Sequence, residues 1–270
     1  MQLPGSPQPK HFDPKRLTMI PIDLGGKLVL VTGGSGELGR VMVRTLAAAG
    51  ADVVIHFHHN QDQAESLAME VKQLGRGAMI VQADVGQRAD VMAMRDQVKE
   101  MMGAPHVIIN NAVIQYQWTS ILEQDDADYE SQFRSCVMQS VLMSKAFVPA
   151  MIKRGGGRVI AISTECAMQC TPNQSAYVSG KRGMDGVLRV LAREIGQYGI
   201  TVNQVAPGWT LSENCPLEGT PQSYLDDVPL RHRGTDQDIA NTVAFLASDL
   251  ASFITGAYVP VCGGNVMPAI

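Results

Sequence analysis

The sequence predicts an α/β fold in which one doubly wound domain has a seven-stranded parallel sheet with helices on both faces. From Lys27 onward, short apolar runs alternate strictly with longer amphipathic runs. The apolar runs are nearly continuous, which is typical of strands buried on both faces of a parallel sheet. A chain of 270 residues that is 45% hydrophobic suits one large domain.

The predicted elements follow one another in strict order. The strands cover residues 28–33, 51–57, 77–85, 105–112, 158–164, 201–208 and 257–264. The helices cover residues 37–49, 61–75, 88–103, 126–157, 175–199 and 239–249, and most of them end at glycine. The aperiodic interval 209–234 is long for a simple connection, so we expect a substrate lid there. Residues 1–22 are expected to form an extended arm before a single domain at 23–270.

Composition narrows the class of partner. The net charge is −4 and both signs are interspersed, so we expect neither nucleic acid nor a membrane surface as a partner. No apolar run is expected to span a bilayer, and the N-terminus lacks the apolar core of a signal peptide. The five cysteines form no CxxC pair and have no histidine at ligand spacing. We therefore expect reduced thiols in a cytoplasmic location and no metal. The charge pattern leaves a small molecule as the expected partner.

The segment TGGSGELGR, residues 32–40, lies directly between the first strand and the first helix. Glycine there permits a tight turn and close approach of helix to strand, while the N–H groups of the helix receive phosphate. This position favours a dinucleotide-binding turn over a purely structural one. The residues of this predicted cofactor loop are Gly33, Ser35, Gly36, Glu37, Leu38 and Gly39.

A second motif, YVSGK, places Tyr177 and Lys181 four residues apart on a predicted helix, and therefore on one face. An ammonium group beside a phenol favours the phenolate. Lys181 is therefore expected to lower the pKa of Tyr177 from about 10 toward the working pH, as acid–base catalysis requires. The alternative is a surface pair without a chemical role.

The order of these motifs resembles that of the short-chain dehydrogenase/reductase family, in the compact branch that includes 3-oxoacyl-acyl carrier protein reductases. The resemblance runs from about Leu24 to Gly264. Its further landmarks are DV at 84–85, NNA at 110–112, ST at 163–164, VNQVAPG at 202–208 and ITGAYVPVCGG at 254–264. It implies a Rossmann-type fold, an NAD(P)(H) cofactor, and hydride transfer between the nicotinamide and a secondary alcohol or ketone. It also implies a homotetramer assembled through the two long helices and the C-terminal strand region.

The resemblance also implies roles for individual residues. Tyr177 would exchange a proton with the substrate, and Lys181 would hold the cofactor ribose and activate Tyr177. Thr164 would orient the substrate oxygen, with Ser163 as the spare candidate. The positions that match cofactor contacts are Asp84 and Val85 at the adenine, Asn111 and Ala112 beside the adenosine ribose, and Pro207, Gly208, Thr210 and Ser212 at the nicotinamide carboxamide.

Four positions depart from the family pattern. Cys136 stands where the family has a catalytic asparagine, and because a thiol is a poor hydrogen-bond partner we expect slower turnover rather than none. Val113 and Cys262 replace a glycine and an aspartate, and both are expected to be packing changes. Glu37 replaces the central glycine of the cofactor loop and brings a negative charge near the pyrophosphate.

Two outcomes remain open for Glu37. A carboxylate is favourable at the first turn of a helix, and this one is expected to swing outward to Arg40 or Arg44. The alternative is that it alters or weakens cofactor binding.

The end of the second strand bears on the choice of cofactor. In the family an acidic residue there holds the ribose 2′-hydroxyl of NAD, whereas basic or small residues admit the phosphate of NADP. This strand ends in HFHHN, residues 56–60, with no acid. NADP(H) is therefore favoured over NAD(H), although Gly36 and His58 occupy the positions of the usual basic helpers.

The leading interpretation is an NAD(P)(H)-dependent oxidoreductase. One alternative is a binding or regulatory protein whose catalytic apparatus is eroded at Glu37 and Cys136, although the retention of Tyr177 and Lys181 argues against it. Another is an isomerase or epimerase that uses the bound cofactor. The side chains expected to shape the pocket are Trp209, Leu211, Leu217 and Tyr224 from the lid, with Glu165, Glu213 and Glu218 as its few charges.

Overall fold

The computed structural model describes residues 21–268, so nearly all of the predicted arm at 1–22 lies outside the described residues. Seven strands form one sheet in the order β3-β2-β1-β4-β5-β6-β7, and every pairing is parallel. They are β1 (Leu28–Val31), β2 (Asp52–Phe57), β3 (Ala78–Gln82), β4 (Val107–Asn110), β5 (Gly157–Ile162), β6 (Ile200–Pro207) and β7 (Tyr258–Val261). Because the order reverses between β1 and β4, a ligand crevice is expected beyond their C-terminal ends.

Helices cover both faces of the sheet, which confirms the predicted doubly wound fold. Alternate residues of β1 point to opposite sides, so Val29 and Val31 join one apolar core and Leu28 and Leu30 the other. The first core is closed by α1, α2 and α9, and the second by α3, α5 and α7. The helices are α1 (Glu37–Ala48), α2 (Gln61–Gln73), α3 (Arg88–Met101), α4 (Asp126–Gln132), α5 (Gln139–Arg154), α6 (Cys166–Gln169), α7 (Ser175–Ile195), α8 (Gln222–Asp227) and α9 (Asp236–Ala247).

The predicted continuous helix at 126–157 is interrupted. Residues Phe133–Met138 form a π-helical turn between α4 and α5. Cys136 lies in this turn, and its carbonyl oxygen accepts a hydrogen bond from the Ser140 hydroxyl at 2.9 Å. Such turns are rare and often occur beside functional sites, because they change the direction in which a helix presents its side chains.

The same helical run bears on the expectation that no apolar run spans a bilayer. Residues 126–154 are long and apolar enough by length and composition, and they form the one such helix in the described part of the chain. Within this helix, 67% of the 18-residue stretch that is apolar enough to span a bilayer is buried inside the fold. A helix that packs against a sheet in this way needs no lipid to cover its apolar side chains.

The predicted lid, residues 209–234, is irregular apart from the short helix α8. Arg233 is only 4% exposed and holds the lid together through hydrogen bonds. The Arg233 guanidinium donates to the carbonyl oxygens of Trp209 and Thr210 at 2.9 and 2.8 Å and lies 4.5 Å from the centroid of the Trp209 ring. After the lid, Thr235 and Asp238 form a capping box that starts α9 three residues before the predicted start.

Candidate active site

A cleft of about 980 Å³ lies at the C-terminal ends of the central strands. It brings together most of the site residues that the sequence predicts. These are Gly33, Ser35, Gly36, Glu37, Leu38, His58, Asn111, Ala112, Ser163, Thr164, Tyr177, Lys181, Pro207, Gly208, Thr210 and Ser212. Asp84 and Val85 instead border an adjoining cavity of about 370 Å³, which shares His56 and His58 with the cleft.

At two positions, the turn of the cofactor loop accommodates only glycine. Gly33 has φ of +60°, and a Cβ there would lie 3.0 Å from the Ala112 Cα. A Cβ on Gly39 would overlap the Gly33 carbonyl oxygen, so Gly39 packs the helix on the turn and does not line the cleft. Helix α1 begins after Gly36 with no side-chain cap on its first N–H groups. This uncapped N-terminus suits the pyrophosphate of a dinucleotide.

Two polar side chains, the partly buried Asn111 and the buried His56, hold the loop in place. The Asn111 amide donates to the carbonyl oxygens of Thr32 and Gly33 at 3.0 and 3.1 Å. His56 Nδ1 accepts a hydrogen bond from the Gly33 N–H at 3.0 Å, and its Nε2 lies 3.0 Å from the Ala83 carbonyl oxygen. Burial lowers the pKa of His56 to about 4, so the ring is neutral and ties the loop to the end of β3. Sequence reasoning singled out the exposed His58 and missed His56, although a histidine inside the continuous apolar run of β2 was a signal for a buried polar residue.

Glu37 does not pair with either predicted arginine. Its Oε2 accepts a 2.6 Å hydrogen bond from the Ser212 hydroxyl in the lid. Arg40 pairs instead with Glu213 at 2.8 Å, and Arg44 pairs with Glu70 at 2.6 Å. Both arginines are therefore engaged by other carboxylates, and the Glu37 carboxylate lies along the cleft rather than away from it.

Tyr177, Lys181 and Thr164 converge on the cleft. Lys181 is 3% exposed, its Nζ donates to the Ile162 carbonyl oxygen at 2.6 Å, and it lies 5.7 Å from the centroid of the Tyr177 ring. The Thr164 side chain acts on the Tyr177 phenol and lowers its pKa. The Ser163 hydroxyl is buried and has no hydrogen-bond partner among the described residues. The effect of Thr164 on the pKa of Tyr177 thus favours Thr164 over Ser163 as the partner of Tyr177.

The pKa of Tyr177 differs from the expectation. Burial raises the pKa of the phenol above its usual value, the cysteines at 166 and 136 add to the rise, and the Thr164 hydrogen bond lowers it. The predicted lowering by Lys181 is not found: burial, which removes the phenolate from water, is the largest cause of the shift, and Lys181 is not among its causes. Tyr177 is therefore a neutral phenol, which is the proton-donating form.

Aromatic residues that sequence reasoning missed surround Tyr177. The Trp118 ring stacks on the Tyr177 ring with centroids 5.8 Å apart. The Tyr116 hydroxyl oxygen accepts a 2.7 Å hydrogen bond from the Tyr177 backbone N–H. Both belong to the loop after β4, which has no periodic pattern to mark it.

The lid contributes fewer cleft residues than predicted. Trp209 and Tyr224 line the cleft, whereas Leu211 and Leu217 do not. Of the three predicted charges only Glu165 lines it. Burial raises the pKa of Glu165, and hydrogen bonds from Asn265, Tyr224 and the Trp209 backbone oppose that rise.

Of the two departures that were expected to be packing changes, Cys262 is closely packed, whereas Val113 packs against the core and also lines the cleft. Cys262 is buried, and a Cβ on Gly208 would lie 3.0 Å from its Cα and Cβ, so the two residues are closely packed. Val113 is partly buried against the apolar core on the α5 side of the sheet.

Comparison with known proteins extends this description. A family model described as enoyl-(acyl carrier protein) reductase matches residues 35–265. The 3-oxoacyl-[acyl-carrier-protein] reductase of Staphylococcus epidermidis is 33% identical over 253 residues, which cover 89% of this chain and 99% of that protein.

Two solved structures share both fold and sequence with this chain. A 7α-hydroxysteroid dehydrogenase complexed with NADH and 7-oxoglycochenodeoxycholic acid has a TM-score of 0.84 at 30% identity, covering 92% of this chain and 97% of that one. A blue fluorescent protein from a metagenomic library in complex with NADPH has a TM-score of 0.85 at 33% identity, covering 91% and 100%. These matches favour an enzyme over the eroded binding protein. The chain is an NAD(P)-dependent oxidoreductase that acts on small molecules, and it belongs to the short-chain dehydrogenase/reductase family.

Proposed function

We propose that this enzyme interconverts a ketone and a secondary alcohol, with Tyr177 as the proton donor and acceptor. The observation that carries the proposal is the convergence of Tyr177, Lys181 and Thr164 in one cleft with the glycine loop. Thr164 follows β5, and Tyr177 and Lys181 lie on successive turns of α7. Acid–base chemistry at a carbonyl oxygen requires the three together.

The roles follow from the geometry. The nicotinamide, when bound, supplies or accepts the hydride. Tyr177 donates its proton to the carbonyl oxygen during reduction, and burial keeps the phenol protonated until then. Lys181, fixed by the Ile162 carbonyl oxygen, lies beside the ring and offsets the negative charge left on the phenolate. Thr164 orients the substrate oxygen.

The residues present fit the proposed cofactor. The uncapped start of α1 would receive the pyrophosphate. The other contacts would be Asn111 and Ala112 at the adenosine ribose, Asp84 and Val85 at the adenine, and Pro207, Gly208, Thr210 and Ser212 at the nicotinamide. Asp84 Oδ1 accepts a hydrogen bond from the Gly86 N–H at 2.8 Å, which fixes the turn after β3.

NADP(H) is the preferred cofactor in this proposal. His58, His59 and Asn60 line the cleft where β2 ends, and this segment brings no carboxylate to repel a 2′-phosphate. The relatives are divided, since one solved structure holds NADPH and the other NADH.

The proposal also includes a cytoplasmic location and assembly as a homotetramer. All five cysteines are free, as suits a reducing cytoplasm. Apolar side chains are exposed on both long helical segments and before β7, namely Phe133 in the π-helical turn, Val190 on α7 and Phe253. Exposed apolar surface of this kind supports a homotetramer, with contacts through the long helices and the C-terminal strand region. Sedimentation of the purified chain as a monomer alone would contradict it.

Cofactor titration followed by a substrate screen tests the function. Nicotinamide fluorescence should show tighter binding of NADPH than of NADH. Ketones and secondary alcohols of sugar, acyl and polycyclic types should then include at least one that is turned over. Equal or tighter binding of NADH would contradict the cofactor preference, and interconversion of substrate with no net change in cofactor redox state would favour an isomerase.

A further inference from the structure

Glu165 is a buried carboxylate that the proposed chemistry does not use. It directly follows Thr164, lines the cleft and is 3% exposed. Removing a carboxylate from water is unfavourable unless its charge is compensated, and an apolar side chain would fill the same space with no such penalty. Packing alone therefore does not account for an acid at this position.

Three separate parts of the chain compensate the charge. Glu165 Oε1 accepts hydrogen bonds from the Tyr224 hydroxyl at 2.9 Å and from the Trp209 backbone N–H at 3.2 Å. Its Oε2 accepts one from the Asn265 amide at 3.0 Å. Trp209 begins the lid, Tyr224 lies on the lid helix α8, and Asn265 follows β7.

Glu165 also contacts the turn at 207–209, which is proposed to hold the nicotinamide, through both its backbone and its side chain. The Glu165 backbone N–H donates to the Pro207 carbonyl oxygen at 2.8 Å. A Cβ on Gly208 would lie 3.1 Å from Glu165 Oε2, so glycine is what permits this close approach. The Tyr224 hydroxyl also accepts the Trp209 N–H at 2.9 Å, which closes a ring of hydrogen bonds.

Each carboxylate oxygen thus already accepts a hydrogen bond from the protein, and Glu165 is not a free ligand for substrate. We propose that Glu165 is a positioning residue whose carboxylate fastens the lid and the C-terminal segment to the turn at 207–209, so that all three adopt the cofactor-binding arrangement together. This inference rests on the proposed nicotinamide site.

A side-chain exchange tests the proposal. Asn265→Asp places two carboxylates against each other, whereas Glu165→Gln alone keeps a matched contact, because the Asn265 amide can rotate to present its oxygen to the new N–H. The double variant restores a donor opposite an acceptor, because the amide introduced at position 165 can donate to the carboxylate introduced at position 265. The variants are made in a Trp118→Phe background, so that Trp209 is the remaining tryptophan of the two in the chain. Acrylamide quenching then reports the exposure of Trp209 without any cofactor.

Asn265→Asp should raise the dissociation constant for NADPH about tenfold and increase the quenching of Trp209, and Glu165→Gln alone should change both values less. The double variant should return both values to within about twofold of the parent. Tyr224→Phe, which removes one hydroxyl, should show a smaller change in the same direction.

Two results would overturn the proposal: quenching of Trp209 that does not change in Asn265→Asp and Tyr224→Phe, or a double variant as impaired as Asn265→Asp. The quenching also separates this proposal from the proposed cofactor site. If the parent failed to bind NADPH while quenching followed the exchange, the positioning role of Glu165 would stand and the nicotinamide site would fail.

Discussion

The Ser212 hydroxyl donates a 2.6 Å hydrogen bond to the Glu37 carboxylate, and so joins the lid to the cofactor loop. The other oxygen, Glu37 Oε1, is buried and has no hydrogen-bond partner among the described residues. Beside this contact, Arg40 of α1 pairs with Glu213 of the lid. The start of α1 is therefore held to the lid where the proposed pyrophosphate and nicotinamide contacts meet.

Replacing Glu37 is expected to tighten cofactor binding. The carboxylate repels a pyrophosphate and occupies the Ser212 hydroxyl. Glu37→Gly removes both effects and should lower the NADPH dissociation constant about tenfold, which corresponds to about 1.4 kcal/mol. Titration of nicotinamide fluorescence measures this change.

Two further variants separate charge from competition for Ser212. Glu37→Gln keeps a hydrogen-bond acceptor but removes the charge, so it should reproduce most of the gain if repulsion dominates. Glu65→Gln removes one charge from the exposed surface of α2 and should leave the constant unchanged. An unaltered affinity in Glu37→Gly would show that the carboxylate does not oppose the cofactor.

His56 should make the fold sensitive to acid. Its pKa is about 4 in the folded protein and about 6.5 in an unfolded chain, so the unfolded state binds more protons between these values. Stability is therefore complete above pH 6.5 and falls by about 3 kcal/mol as the pH drops toward 4. Urea unfolding at several pH values measures the slope.

His56→Asn should flatten this slope relative to the wild type, while His58→Asn on the exposed loop should not. Glu165, with its pKa raised by burial, contributes a slope of opposite sign in both proteins. The comparison between variant and wild type removes that contribution. Equal slopes in His56→Asn and the wild type between pH 6.5 and 4.5 would contradict a buried neutral histidine.

Cys136 should limit turnover. It is 1% exposed and lies in the π-helical turn that packs on α7. An amide donates and accepts hydrogen bonds in a proton relay better than a thiol does, so Cys136→Asn should raise kcat several-fold and leave the NADPH dissociation constant unchanged. Cys136→Ala serves as the control without a polar group. If kcat of the asparagine variant matched that of the alanine variant at equal thermal stability, the relay explanation would be wrong.

Sequence reasoning predicted the local features and missed the distant ones. Continuous apolar runs such as residues 28–31 identify buried strands, because burial on both faces leaves no polar alternation. The glycine turn and the Tyr177–Lys181 pair are likewise contained in a few consecutive residues. The π-helical turn at Phe133–Met138 left no trace in the sequence, since one inserted residue hardly changes a helical pattern.

The features of the site that sequence reasoning missed depend on contacts between residues that are distant in the sequence. Ser212 lies 175 positions from Glu37, and Asn265 lies 100 positions from Glu165. No spacing rule predicts such pairs, whereas Arg40 and Arg44 were expected as partners because they are neighbours on one helix. The pKa of Tyr177 is a similar case, because residue spacing shows the nearby ammonium but not the depth at which the phenol is buried.

The most direct test of the account measures hydride transfer in a single turnover with Tyr177→Phe. With a substrate identified by the screen, the variant should bind NADPH within about twofold of the wild type and transfer hydride about a thousandfold more slowly. Tyr198→Phe, on a surface turn outside the cleft, should match the wild type. Hydride transfer by Tyr177→Phe within tenfold of the wild-type rate would contradict the assignment of Tyr177 as the acid–base.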